Sequence, residues 1–237
     1  MRRQKKGSKS RKGESFDSST IFTACGGDDS KSAHLCGLLP GPSLKAFLIA
    51  SLLLSLTVVS FAGDVKGRVA VSGGTSNANV VVYIENVDST FVPPKEPAVI
   101  DQKHLMFMPE VLPILAGTTV KFLNSDEVLH DVFTPSPCAG DFNLGSFPPG
   151  ESKTHTFEKP GCNALILCDI HPDMQAWIVV LQNPYFAVSD SEGNYVIKGI
   201  PPGTYSLKAW FGYYRPQSVR VVVPKSGTVT VDFQVKQ

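Results

Sequence analysis

From Val65 onward the chain is a series of short runs in which apolar and polar residues alternate, each ending near Gly, Pro, Asn or Asp. A repeat of two puts successive side chains on opposite faces of an extended strand, whereas a helix needs apolar residues three and four apart. In the last run Val229, Val231, Phe233 and Val235 share one face, and Thr228, Thr230, Asp232 and Gln234 take the other. Strands are expected over 65–71, 79–85, 98–101, 111–116, 118–123, 130–134 and 152–157. Further strands are expected over 163–168, 175–182, 185–188, 195–200, 204–211, 218–223 and 228–235. Turn chemistry agrees: Asp190-Ser191-Glu192-Gly193-Asn194 separates two runs, and Pro202-Gly203 suits the centre of a type II turn. The fold class is therefore all-β, and so many strands call for two β-domains rather than one small sandwich.

Charge divides unevenly along the chain. Residues 1–62 carry nine Lys/Arg against four Asp/Glu, and residues 63–237 carry thirteen against seventeen. The part that folds is mildly acidic, which excludes a nucleic-acid binder with a basic folded surface. The run from Ala46 to Gly63 has the length of a signal-peptide core and is short for a membrane span. Lys45 precedes it, and Ser60-Phe61-Ala62 supplies small residues for cleavage after Ala62. About 45 residues before an apolar core is unusual, and points either to a later translation start or to a long cytoplasmic leader. An uncleaved N-terminal membrane anchor is the alternative. In each case the folded part is expected outside the cytoplasm, in a periplasm or its equivalent.

Of five cysteines, Cys25 and Cys36 lie in the leader with His34, which leaves Cys138, Cys162 and Cys168. An odd number in an exported protein leaves one thiol that needs a role. Cys168-Asp169-Ile170-His171-Pro172-Asp173-Met174 sits where one strand gives way to the next and offers a thiolate, an imidazole and a thioether. With His130 from a separate strand, this is a His2Cys set with an axial Met, the ligand combination of an electron-transfer copper. A Cys–His pair alone is more often structural, and zinc favours a second Cys or His over Met. The joint pattern of strand-end Cys, nearby Met, upstream His and export favours one type 1 copper ion held by His130, Cys168, His171 and Met174. His171, between Ile170 and Pro172, is expected to present a ring edge within an apolar patch where a redox partner docks.

The segment from about Ala98 to Gln182 resembles a cupredoxin of the plastocyanin and amicyanin type. The matching residues are Phe107-Met108-Pro109-Glu110-Val111, Ala116-Gly117-Thr118-Thr119-Val120, Phe122-Leu123-Asn124, His130, Phe157 before Pro160-Gly161, and the Cys168–Met174 loop. The chain as a whole resembles the methylamine-utilisation-protein-like cupredoxins, whose copper domain is followed by a tail like that from Pro184-Tyr185-Phe186 onward. The resemblance implies a Greek-key β-sandwich and a non-enzymatic electron carrier serving an exported partner, such as a c-type cytochrome or a dehydrogenase. It also places Asn124 and Asp131 beside the ligands. Cupredoxins usually carry Asn directly after the first His, where it ties the ligand loops together. Asp131 stands there, and its extra charge would lower the reduction potential.

Cys138 lies eight residues after His130 and Cys162 six before Cys168, so at about 3.3 Å per strand residue both fall towards the end remote from copper. A disulfide between them would leave Cys168 free, as export allows. His104 and His155 read as surface strand residues, and Met106 and Met108 as core packing rather than a copper-storing site. Pro184 to Gln237 resembles the end of a carboxypeptidase-regulatory, transthyretin-like sandwich, through Ser189–Tyr195 and Ile200-Pro201-Pro202-Gly203-Thr204-Tyr205. The opening strands of that family appear upstream, as Gly67-Arg68-Val69 and residues 79–85. Residues 63–94 and 184–237 are thus expected to form one discontinuous sandwich, with a cupredoxin of residues 95–183 inserted between Pro93-Pro94 and Asn183-Pro184. Three functions compete: an electron carrier, a copper-binding or delivery protein without an electron-transfer role, and a copper enzyme, which Met174 disfavours by filling the open position. An adhesion module without metal is a remote fourth.

Overall fold

The computed structural model describes residues 62–74 and 76–236. The leader, with its apolar run, Cys25, His34 and Cys36, lies outside them. Among the described residues no helix is long and apolar enough to cross a membrane. The described residues are all-β apart from one 3-10 turn at Pro137–Ala139.

The strands in order are β1 (Gly63–Val71), β2 (Val81–Ile84), β3 (Ala98–Lys103), β4 (Met106–Met108), β5 (Val111–Leu115) and β6 (Thr118–Asn124). Then follow β7 (His130–Phe133), β8 (Asn143–Phe147), β9 (Ser152–Phe157), β10 (Asn163–Leu167) and β11 (Gln175–Leu181). The last six are β12 (Phe186–Val188), β13 (Asn194–Ile200), β14 (Gly203–Trp210), β15 (Gln217–Val223), β16 (Thr228–Thr230) and β17 (Phe233–Val235).

The middle of the chain forms one sandwich, with sheets β5-β11-β10-β7-β8 and β4-β3-β6-β9. Two pairs in it are parallel, β5 with β11 and β3 with β6. Its core holds Ile100, Phe107, Val120, Phe122, Phe147, Phe157, Ile166 and Ile178. The second sandwich pairs β1 with β13, β16 and β17, and stacks that sheet on β12-β2-β14-β15. Its core is largely aliphatic: Val65, Val69, Val82, Ile84, Ile197, Leu207, Val221 and Val235.

Strand parity also explains how the sandwiches meet. On β11, Ala176, Ile178 and Val180 face the first core, while Val179 and Leu181 on the opposite face are equally buried. The cover comes from the second sandwich. Val82 and Ile84 of β2 point into its own core, and Val81 on the other face joins Val111, Val179, Leu181 and Trp210 in a junction core.

Several details depart from the sequence reading, among them Gly203, which opens β14 without the positive φ that the second central position of a type II turn needs. Strands β4 and β8 escape notice because one has three residues and the other, Asn-Leu-Gly-Ser-Phe, carries a central Gly that weakens any alternation. The run over 228–235 is broken into β16 and β17. At the break the Asp232 carboxylate, in place of a backbone carbonyl, accepts the Arg68 amide at 2.8 Å. Met106 and Met108 are solvent-facing rather than core: parity on β4 turns Phe107 inward and both thioethers out.

Candidate metal centre

Four strands end at one pole of the first sandwich, and parity aims side chains inward there. Ala164 and Ile166 of β10 face the core, and Cys168, one residue beyond the strand, continues that row. Met174, one residue before β11, continues the row of Ala176, Ile178 and Val180. His130 opens β7, which lies antiparallel beside β10, so its ring arrives next to Cys168. Asn124 ends the inward row Thr118, Val120, Phe122 of β6.

The Cys168 Sγ lies 3.9 Å from His130 Nδ1 and 3.8 Å from His171 Nδ1, and the two Nδ1 atoms are 3.0 Å apart. A point equidistant from these three atoms lies about 2.1 Å from each, within the bond lengths that imidazole and thiolate make to a first-row metal. At that spacing the two ring nitrogens can serve one cation. His130, Cys168 and Met174 are buried, and His171 is partly exposed. His130, Cys168 and His171 are the metal-competent cluster among the described residues.

Each donor is held by a second interaction. The His130 Nε2 lies 2.9 Å from the Asp126 carboxylate, which fixes Nε2–H as donor and leaves the Nδ1 lone pair for the cluster. Asp126 also accepts the amides of His104 at 2.6 Å and Leu105 at 2.9 Å, so the β3–β4 turn and the His130 ring hang on one carboxylate. Burial would raise its pKa, but the Leu105 amide, the His130 ring and the His104 amide outweigh that and hold it below the usual value. Sequence reasoning missed Asp126. Its position four residues before His130 was the available signal.

Asp131 follows His130 and accepts the Asp169 amide at 2.7 Å, joining the strand of His130 to the loop of Cys168, His171 and Met174. Asn124 is fully buried: its amide donates to the carbonyls of Val128 and Phe147 and accepts from the Asp126 amide, shaping the loop before His130. The Met174 amide donates to the His171 carbonyl, closing a β-turn with Pro172 at its second position, where its fixed φ belongs. Burial pushes the Cys168 thiol up, and the neighbouring amides of Asp131, His171 and Ile170 only partly offset this.

Cys138 and Cys162 are joined by a disulfide, and Cys168 is the free cysteine among the described residues. His104 sits exposed in the β3–β4 turn with φ 57°. His155 on β9 is partly buried, stacked on Phe142 at 3.9 Å, so it is not the plain surface residue its strand position suggested. Around the pole Leu105, Val128, Leu129 and Ile170 are exposed apolar side chains.

The carboxypeptidase regulatory-like domain family matches residues 174–236. That match takes in β11, a strand of the first sandwich, and omits β1 and β2. Solved structures similar to the chain are cupredoxins and a copper enzyme. A copper-containing nitrite reductase (NirK) from Thermus scotoductus SA-01 is 29% identical over 42% of this chain and 25% of its own, with a TM-score of 0.36. A reduced amicyanin mutant is 22% identical over 42% of this chain and 97% of its own, at 0.34. A purple cupredoxin from Nitrosopumilus maritimus is 26% identical over 35% of this chain and 98% of its own, at 0.32. This chain therefore spans about a quarter of the nitrite reductase it resembles. No curated protein matches it.

Proposed function

We propose that this chain is an exported type 1 copper protein that carries single electrons between redox partners. In this reading His130, Cys168 and His171 hold the ion and Met174 is its weak axial ligand. The observation that carries the reading is the convergence of one free, buried thiol and two imidazole Nδ1 atoms within 3.9 Å of one another. Bound there, copper would supply a one-electron couple that soft sulfur and imidazole donors stabilise in both states.

The protein's part is to keep the donors still and dry. The Pro172 turn, the Asp131 carboxylate on the Asp169 amide and the Asp126 carboxylate on His130 each fix one donor from outside the cluster. Donors that do not move between oxidation states leave little reorganisation to oppose electron transfer. The partly exposed His171 ring, among Val128, Leu129 and Ile170, is the entry point for electrons from an exported partner such as a c-type cytochrome or a dehydrogenase.

Voltammetry of the copper-loaded protein, run beside a Cu(I)-chelator competition, tests this. A reversible one-electron wave with slow copper loss supports a carrier. An irreversible wave with ready transfer of Cu(I) to the chelator would replace it with copper delivery.

A further inference from the structure

The junction of the two sandwiches forms an open cleft of about 660 Å³, a size typical of small-molecule sites. Its walls are aromatic from both sides, with Trp177 from the first sandwich and Phe211, Tyr213 and Tyr214 from the β14–β15 turn of the second. Two carboxylates, Glu110 and Asp173, stand at it, and no Lys, Arg or His is among its described lining residues. We propose that this cleft binds a small organic cation, a quaternary or protonated amine.

The walls are preformed. The junction core of Val81, Val111, Val179, Leu181 and Trp210 fixes the two sandwiches directly beside the cleft. Trp177 meets Trp210 edge to face at 5.3 Å and Tyr213 at 5.2 Å, so its ring is held from two sides. Gly212 supplies the positive φ of 46° that the turn adopts beside Trp177. Glu110 is aimed as well as charged. Asn79 donates to its Oε2 at 2.9 Å, and Asn79 itself holds a left-handed φ of 65° that Asn tolerates.

The chemistry selects the ligand class. Aromatic faces attract cations. Two carboxylates, with no Lys, Arg or His among the described lining residues, add attraction for a positive charge and repel an anion. A neutral apolar ligand would fill the volume but gain nothing from Glu110 or Asp173. Met174 also lines the cleft, but none of the aromatic or acidic groups that the assignment uses is a metal donor.

The chain's two tryptophans, Trp177 and Trp210, both lie at this junction, so tryptophan emission is a local reporter. The full-length protein is titrated with choline and with its uncharged carbon isostere 3,3-dimethylbutan-1-ol, with calorimetry alongside to register binding that leaves emission unchanged. Saturable binding of choline alone, weakened about tenfold by Tyr213→Ala and by Glu110→Gln, is the expected result. Tyr213 is 74% exposed, so its truncation leaves folding intact. No binding of choline, equal binding of the isostere, or unchanged affinity in both variants would overturn the proposal.

Discussion

Asp126 receives three donors: the amides of His104 and Leu105 and the Nε2–H of His130. An asparagine offers one acceptor oxygen and an NH2 of its own, so Asp126→Asn leaves at least one donor facing another donor. The His130 ring also loses the negative charge that makes its Nδ1 a strong ligand. Copper affinity in Asp126→Asn should fall by about 10- to 100-fold in competition titrations. The loss should be greater for Cu(II), raising the reduction potential by about 60 mV for each tenfold of preference. Asp131→Asn is gentler, because an amide oxygen still accepts from Asp169. Its potential should also rise on potentiometry, through charge alone, with the affinity little changed. The four proposed donors were legible as residue types at a telling spacing. Asp126 was not, because a loop carboxylate four residues before a His is too common a spacing to mean anything until the fold brings it to His130.

At the scale of elements, parity of two explains why Cys168 and Met174 point inward: each extends the buried row of the strand it flanks. The alternation was visible in the sequence, and most strands with it. What alternation cannot show is where a strand partner intrudes. The Val231 carbonyl sits 1.7 Å from where a Cβ on Gly67 would stand, and it also accepts the Tyr195 hydroxyl at 2.6 Å. Gly67→Ala must therefore displace the β16–β17 break, at a cost of about 3 kcal/mol or more. Thermal unfolding of this variant should show a clearly lowered Tm, and an unchanged Tm would mean that the break is not fixed by Gly67. A second link is electrostatic. Glu85, just past β2, accepts Lys208 Nζ at 2.7 Å and the Ser206 hydroxyl at 2.9 Å. These bonds hold its pKa below the ordinary 4.5, against a smaller effect of burial. A carboxyl with a lowered folded pKa stabilises above its unfolded value and loses that stabilisation as pH falls through the folded one. Glu85→Gln should thus be less stable than the parent at neutral pH, by at most about 1 kcal/mol for so exposed a pair. Urea titrations should show the difference closing as pH drops below the carboxylate range.

At the scale of the molecule, the two sandwiches share a wall. The outer face of β11 and the outer face of β2 close over one core, so the strand that leads out of Met174 is buried on both sides. Sequence reading could place a strand at 175–182. It could not see which sheet covers it, because a strand buried on both faces loses the alternation that would report its environment. The same packing anchors the chain end of the ligand loop, while the β7 and β10 ends anchor the rest. In the function proposed for this protein, the rigid pole holds a type 1 copper ion through the Cys168 sulfur. The most direct test is the visible absorption spectrum of the purified protein after addition of Cu(II), with Cys168→Ser measured alongside. An intense thiolate-to-copper band that vanishes in Cys168→Ser is the predicted result. A protein that binds copper without that band, or does not bind it at all, would contradict the claim.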